Sequence, residues 1–127
     1  MKHLILLVPG FFGFAKLGGI RYFRHVERVL NLRFQEAGHE VRIFPVPTLP
    51  TGSIRKRARL LADALMSANP TRAERVHIIG HSTGGLDARL LATPGVSLGH
   101  RADEFRQRVE SVVTLSTPHY GTPIAAF

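Results

Sequence analysis

Four short apolar segments alternate with segments of helical periodicity, and this alternation is the feature that most restricts how the chain can fold. Apolar or alternating runs of four to eight residues are typical of strands in a sheet whose faces are covered. The predicted strands span residues 3–8, 40–45, 75–79 and 111–115. Between them, apolar residues recur every three or four positions, which predicts helices around residues 23–37, 54–68, 86–91 and 102–109. The order β-α-β-α-β-α-(α)-β predicts an α/β fold with a parallel sheet, right-handed crossovers and helices on both faces.

Length and composition fit one globular domain. The chain has 127 residues, 44% of them hydrophobic and 20% charged, which excludes disorder and coiled coil as descriptions of the whole. No apolar run approaches the ~20 residues that cross a bilayer. The run at residues 4–8 is shorter than the ~7–15 residues of a signal-peptide core, which favours the cytoplasm but leaves the compartment unknown. The chain has no cysteine, so disulfides and thiolate metal sites are excluded.

The net charge of +8 raises the chance of an anionic partner. However, the basic residues are spread along the chain, and only residues 55–59 (RKRAR) form a cluster, without interleaved aromatic residues. A solvated, arginine-rich surface is therefore the favoured interpretation, and no specific contact with nucleic acid is expected. The cluster lies in the first turns of a predicted helix, where positive charge opposes the helix dipole.

A G-x-S-x-G motif, residues 80–84 (GHSTG), lies directly between a predicted strand and a predicted helix. At such a junction the chain turns sharply, which places the serine hydroxyl at the apex of a strained turn. Gly80 and Gly84 remove the Cβ atoms that would collide with the neighbouring strand and helix. The motif predicts Ser82 as a nucleophile; the alternative is a glycine-rich turn with an inert serine.

The loop after the first strand, residues 8–13 (VPGFFG), is the second chemically informative segment. Acyl transfer passes through an oxyanion, which needs two N–H donors aimed at it in advance. The backbone amide of Thr83, which follows the nucleophile, would supply one donor, and Phe11 is placed to supply the other. Gly10 and Gly13 would let the backbone approach closely, although Pro-Gly after a strand often marks only a turn.

The segment after the last strand, residues 116–123 (STPHYGTP), should lie beside Ser82, because the carboxyl ends of parallel strands meet at one edge. A nucleophilic serine needs a base, which makes His119 a candidate. The favoured interpretation is that His119 orders this loop by hydrogen bonding and lines the pocket.

Three segments, HLILLVPGFFG, VHIIGHSTGGLDAR and TLSTPHYGTPIA, together resemble the amino-terminal part of an α/β-hydrolase, and within that fold bacterial triacylglycerol lipases and related esterases. The resemblance implies Ser82 as nucleophile and the amides of Phe11 and Thr83 as the oxyanion hole. It implies that His119 is not the triad base, and it implies neither a metal nor an organic cofactor. The implied substrate is a small acyl ester or a lipid. Many of these lipases have a histidine before the glycine, at the position where this chain has Pro9. The oxyanion donor is a backbone amide, so this change of side chain need not abolish the oxyanion hole.

In this family the triad acid and histidine follow two further strands after the nucleophile. None of the acids or histidines after Ser82 stands at the end of such a strand. We therefore expect residues 1–127 to form a single, incomplete α/β-hydrolase domain with about four strands, and the triad acid and histidine to lie beyond it. The last strand would then present an unpaired edge that favours self-association.

The leading function is that of a carboxylic ester hydrolase of the lipase or esterase type. The alternatives are an inactive, truncated hydrolase remnant, a short enzyme that uses a Ser82–His119 dyad, and a basic module that binds an anionic surface.

Overall fold

The computed structural model describes residues 1–10, 18–47, 49 and 51–123, with only the backbone at 18–22, 100 and 101. Within these residues the strands and helices follow the predicted order. They are β1 (Lys2–Val8), α1 (Gly18–Glu36), β2 (Glu40–Pro45), α2 (Ile54–Ala68), β3 (Glu74–His81), α3 (Thr83–Ala92), α4 (His100–Arg106) and β4 (Val109–Leu115).

The four strands form one parallel sheet in the order β2-β1-β3-β4. This arrangement confirms the predicted α/β class. β4 lies at one edge, and Ser111, Val113 and Leu115 on one of its faces are exposed. Pairing of this edge with another strand stays a prediction.

The two faces of the sheet carry different partners. Leu4, Leu6 and Val8 of β1 belong to the main hydrophobic core, together with buried residues of α2 and α3. Side chains alternate along a strand, so His3 points to the opposite face. There its ring lies 4.9 Å from the ring of Phe34 in α1. Helix α1 therefore covers one face, and α2 and α3 cover the other.

Local signals set most of the element bounds. The Ser53 hydroxyl accepts a hydrogen bond from the Lys56 N–H at 3.2 Å, which caps α2 as predicted. Asn69, with φ 45°, ends the same helix. Gly38, with φ 76°, follows α1 and adopts a conformation that glycine reaches without strain.

Several predicted bounds differ from the structure, and two of the differences arise from pairing between strands. The third strand does not break at Gly80: residues Gly80 and His81 continue β3, because Thr114 and Leu115 of β4 pair with them. Val109 does not belong to the last helix, which ends at Arg106; Val109 begins β4 opposite Val76. In both cases pairing between distant strands overrides the local pattern.

An ion pair between Arg42 of β2 and Glu74 of β3 lies near the amino-terminal ends of the strands. Arg42 donates from Nε and Nη2 to the two carboxylate oxygens of Glu74, at 2.6 and 2.9 Å. The Thr71 N–H donates to the same carboxylate at 2.7 Å. These hydrogen bonds, chiefly those from Arg42, lower the pKa of Glu74 to about 2 although the carboxylate is buried.

We expect Glu74→Gln to lower the free energy of unfolding by about 1–2 kcal/mol at about pH 7, since the Arg42 guanidinium is half exposed and partly screened. The folded pKa lies below the unfolded one, so this contribution is complete above about pH 5 and is lost as the pH falls toward 2. Urea denaturation at about pH 7 and pH 3 checks both points. Glu36→Gln, in the exposed Arg33–Glu36 pair, is the control and should change stability by less than about 0.5 kcal/mol. A Glu74→Gln deficit equally large at both pH values would contradict the assignment.

Candidate active site

Ser82 occupies a strained turn between β3 and α3. Its φ of 54° and ψ of −129° lie outside the regions that non-glycine residues normally adopt. Such a conformation costs of order 1–3 kcal/mol and persists only where its surroundings hold it. The Ser82 N–H donates to the Leu115 carbonyl at 2.8 Å, and the Ser82 carbonyl accepts from the Gly85 N–H at 3.0 Å. The turn is thus tied to both β4 and α3.

Glycines at the turn allow the strand and the helix to pack without side chains between them. A Cβ on Gly80 would lie 2.5 Å from the Gly85 Cα, and a Cβ on Gly84 would lie 2.6 Å from the Pro9 carbonyl oxygen. Real Cβ atoms essentially never come within 3.0 Å of such atoms. The motif glycines therefore have the steric role that the sequence predicted for them.

The end of β1 lies directly against this turn. A Cβ on Gly10 would stand 2.6 Å from the Ser82 Cβ and 3.0 Å from the Thr83 amide nitrogen. The structure thus brings together three of the predicted site residues: Gly10, Ser82 and Thr83. The Thr83 amide is at the start of α3, where the helix dipole favours negative charge. Phe11, the other predicted oxyanion donor, lies outside the described residues.

His119 is held by its own loop and by α3. Its Nε2 lies 3.1 Å from Thr114 Oγ1, and its Nδ1 lies 3.4 Å from Arg89 Nη1. A guanidinium can only donate, so Nδ1 accepts from Arg89 and the Nε2–H donates to Thr114. Both ring nitrogens are therefore engaged with residues other than Ser82, and these contacts give the proposed Ser82–His119 dyad no support.

A buried ion pair beside the turn was not predicted. Arg57 Nε lies 3.0 Å from both carboxylate oxygens of Asp87, and Arg57 Nη1 donates to the Gly52 carbonyl at 2.8 Å. The exposed fractions of the two side chains are 10% and 1%. Burial raises the pKa of Asp87, and the hydrogen bond from Arg57 opposes that rise. The pair joins the first turns of α2 to α3, little more than one turn after Ser82.

The position of Arg57 in the 55–59 cluster predicted that it belongs to a solvated basic surface. This prediction was wrong, because the Arg57 side chain is only 10% exposed. Helical periodicity carried a usable signal, because Arg57 shares its helix face with buried Leu61 and Ala64, four and seven positions later. The same geometry agrees with the structural role that the sequence resemblance gives Asp87.

Histidines cluster at the opposite edge of the sheet, near the amino ends of the strands. His3 Nδ1 lies 3.0 Å from His77 Nε2, and His77 Nδ1 lies 2.7 Å from Ser111 Oγ. Burial lowers the pKa of both histidines, which favours their neutral forms. Within the described part of the chain, no set of His, Asp and Glu side chains has the arrangement of a metal site.

None of the described helices is long and apolar enough to span a membrane.

The fold and the turn at Ser82 together define a domain of the α/β-hydrolase class. Comparison with known proteins makes the class specific: residues 51–126 match the model of the PGAP1-like alpha/beta domain family, so the chain belongs to that family. It is 31% identical over 124 residues to a triacylglycerol lipase of Pseudomonas fragi. It is also 31% identical over 124 residues to a triacylglycerol lipase of Vibrio cholerae serotype O1. These alignments cover 98% of this chain but only 37% and 35% of the two lipases, so the chain spans about a third of their length. No solved structure matches significantly.

Proposed function

We propose that this chain carries the nucleophile and the oxyanion hole of a serine hydrolase that cleaves carboxylic esters in the manner of lipases and esterases. The observation that carries the proposal is the backbone of Ser82, strained at φ 54° at a strand-to-helix junction and tied to β4 and α3. Relatives named triacylglycerol lipases, aligned over nearly the whole chain, support the ester as the bond attacked.

The proposed reaction has two halves. Ser82 Oγ attacks the ester carbonyl carbon while a histidine accepts its proton, and the carbonyl oxygen becomes an oxyanion. The amides of Thr83 and Phe11 donate to that oxygen. The C–O bond to the leaving group then breaks, the histidine gives its proton to the departing alkoxide oxygen so that it leaves as the alcohol, and an acyl-serine remains. A water molecule attacks the acyl-serine in the same way, which releases the carboxylic acid and restores Ser82.

The histidine of this scheme is proposed to come from outside the 127 residues, as is its acid partner. His119 is a poor base for Ser82, because Arg89 and Thr114 occupy its two ring nitrogens. The greater length of the lipase relatives is consistent with further catalytic residues elsewhere.

The proposed substrate is a small acyl ester or a lipid. An oxyanion hole and a nucleophile do not distinguish ester from amide, so this part rests on the names of the relatives.

Covalent labelling tests the proposal. A fluorophosphonate should modify the longest form of the protein found in its source once per chain, at Ser82, as mapped by peptide mass spectrometry. The 127-residue chain should react at least about 100-fold more slowly because it lacks the base. His119→Ala should leave both rates within about threefold. Adducts at another residue would overturn the assignment of Ser82, and loss of labelling in His119→Ala would support the dyad instead.

A further inference from the structure

Three histidines lie together between the sheet and the end of α1. The ring centroid of His3 in β1 lies 5.2 Å from that of His77 in β3 and 5.1 Å from that of His39, which follows α1. Phe34 of α1 contacts the His3 ring edge-on at 4.9 Å and the His39 ring at 6.4 Å. The three rings, which we call the histidine cluster, therefore form part of the surface on which α1 rests.

The hydrogen bond between His3 and His77 limits the number of protons that the histidine cluster can hold. The Nδ1 of His3 lies 3.0 Å from the Nε2 of His77, so one nitrogen donates and the other accepts with its lone pair. One added proton is tolerated, because His77 can then donate from Nδ1 to Ser111 Oγ, 2.7 Å away. A second added proton would place two N–H groups face to face, and the hydrogen bond would be lost.

A protonated His3 would also carry a charged N–H group without an acceptor. His3 is 9% exposed, and its Nε2 is buried with no hydrogen-bond partner among the described residues. The same is true of the Nδ1 of His39. An unpaired charged donor costs more free energy to bury than a neutral one. Burial is accordingly the largest cause that lowers the pKa of His3, followed by the neighbouring His77 and His39.

Positive charge predominates around His3. The amino group of Met1 and the guanidinium of Arg75 lower the pKa of His3, and Arg75 also lowers that of His77. Glu110 of β4 acts on His77 in the opposite direction, but it pairs with Arg75 at 3.7 Å. At the end of α1 and the start of β2, the charged residues of two pairs offset each other: Arg33 with Glu36, and Glu40 with Lys2. No unpaired acid on these elements therefore favours a second proton on the histidine cluster.

Helix α1 is less deeply packed than the helices on the other face of the sheet. None of residues 23–36 is fully buried, whereas α2 buries six residues and α3 buries five. Segments with few buried contacts open at a lower free energy than the core. The contact between Phe34 and the histidine cluster is therefore a substantial part of what holds α1 in place.

We propose that the histidine cluster makes the docking of α1 on the sheet sensitive to acid. At neutral pH, His3 and His77 are uncharged and share their hydrogen bond beneath Phe34. In acid, the cluster takes up the proton that the docked arrangement cannot hold, the rings separate, and α1 is released while α2 and α3 stay packed on the other face. This device does not depend on the chemistry proposed for Ser82, which lies at the opposite edge of the sheet.

The direction of the effect follows from where the protons bind. The pKa values of His3 and His77 in the docked state are lowered from 6.5, so below that pH the released state binds more protons than the docked state. The stabilisation of α1 is therefore complete above about pH 6.5 and is lost as the pH falls further. Each extra proton changes the opening equilibrium about tenfold per pH unit between the docked and released pKa values.

Hydrogen–deuterium exchange tests the proposal on the 127-residue chain. Opening constants are measured at about pH 7 and about pH 5 and corrected for the intrinsic pH dependence of amide exchange. We expect the opening constant of amides in residues 27–36 of α1 to rise about tenfold or more from pH 7 to pH 5. Over the same range, that of amides in residues 58–68 of α2 should change by less than about threefold.

His3→Gln removes a titrating group but keeps a neutral side chain that can hydrogen-bond to His77. It should lower the acid-induced rise in α1 by at least about threefold. The matched control is His25→Gln, the same substitution at an exposed histidine of α1, which should keep the rise within about twofold of the wild type. Each variant is compared with itself at two pH values, so packing lost equally at both does not imitate the effect. If His3→Gln does not fold, His77→Gln, which leaves the contact between His3 and Phe34 in place, should give the same reduction.

Three outcomes would overturn the proposal. The first is an opening constant of α1 that does not change between the two pH values. The second is an equal rise in α1 and α2, which would mean that acid unfolds the whole domain. The third is an equal reduction of the acid response in His25→Gln and in the histidine-cluster variant. Ser82→Ala should respond to acid like the wild-type chain, so this test and the labelling of Ser82 can fail independently.

Discussion

Ser82→Ala is expected to lower the hydrolysis of short acyl esters by a factor of about 10³ or more in the longest natural form of the protein. The variant keeps the oxyanion donors but has no oxygen to form the acyl-serine. Turnover of a p-nitrophenyl ester, measured as kcat/KM, checks this. Folding should be little affected, because alanine and serine suffer similar strain at φ 54° and the two backbone hydrogen bonds remain.

The chain offers a matched control in Ser116. This serine also has a positive φ, 51°, and it stands at the end of β4, at the same edge of the sheet. Ser116→Ala should keep ester hydrolysis within about twofold. If Ser82→Ala retains ester hydrolysis within tenfold of the wild type, Ser82 is not the nucleophile. If Ser82→Ala and Ser116→Ala lose ester hydrolysis equally, the loss reflects damage to this edge of the sheet.

Features that depend on neighbouring residues were predictable from the sequence. Helix α2 begins after the Ser53 cap and ends at Ala68 as predicted, and β2 spans 40–45 as predicted. The place of Ser82 between a strand and a helix belongs to this group, because the strand, the turn and the helix all lie within about twenty residues. The positive φ of Ser82 agrees with the strain that the motif indicated.

Features that depend on distant segments were not predictable in the same way. Arg57 and Asp87 are 30 positions apart, and they meet only because α2 and α3 pack on the same face of the sheet. The continuation of β3 through Gly80 depends on β4, more than 30 residues later. Charge counting placed Arg57 in solvent, because composition carries no information about which helix face is covered.

The same packing gives Gly84→Ala the largest expected effect on stability. Its new methyl group would lie 2.6 Å from the carbonyl oxygen and 2.9 Å from the carbonyl carbon of Pro9, and it would also collide with the Val8 carbonyl oxygen. These are backbone atoms at the end of a central strand, so no flexible side chain can move aside. We expect the free energy of unfolding to fall by about 3 kcal/mol or more, with loss of soluble protein at growth temperature. Urea denaturation and the soluble yield measure this.

Gly52→Ala is the control, because a Cβ there has no neighbour closer than 3.5 Å and φ is not positive. It should change stability by no more than about 0.5 kcal/mol. If Gly84→Ala does fold, α3 must have moved away from β1, which would carry the Thr83 amide away from its place beside Gly10. Such a variant should therefore lose ester hydrolysis even at temperatures where it remains folded. A Gly84→Ala protein with wild-type stability and activity would show that the closeness of α3 and β1 is not what positions the site.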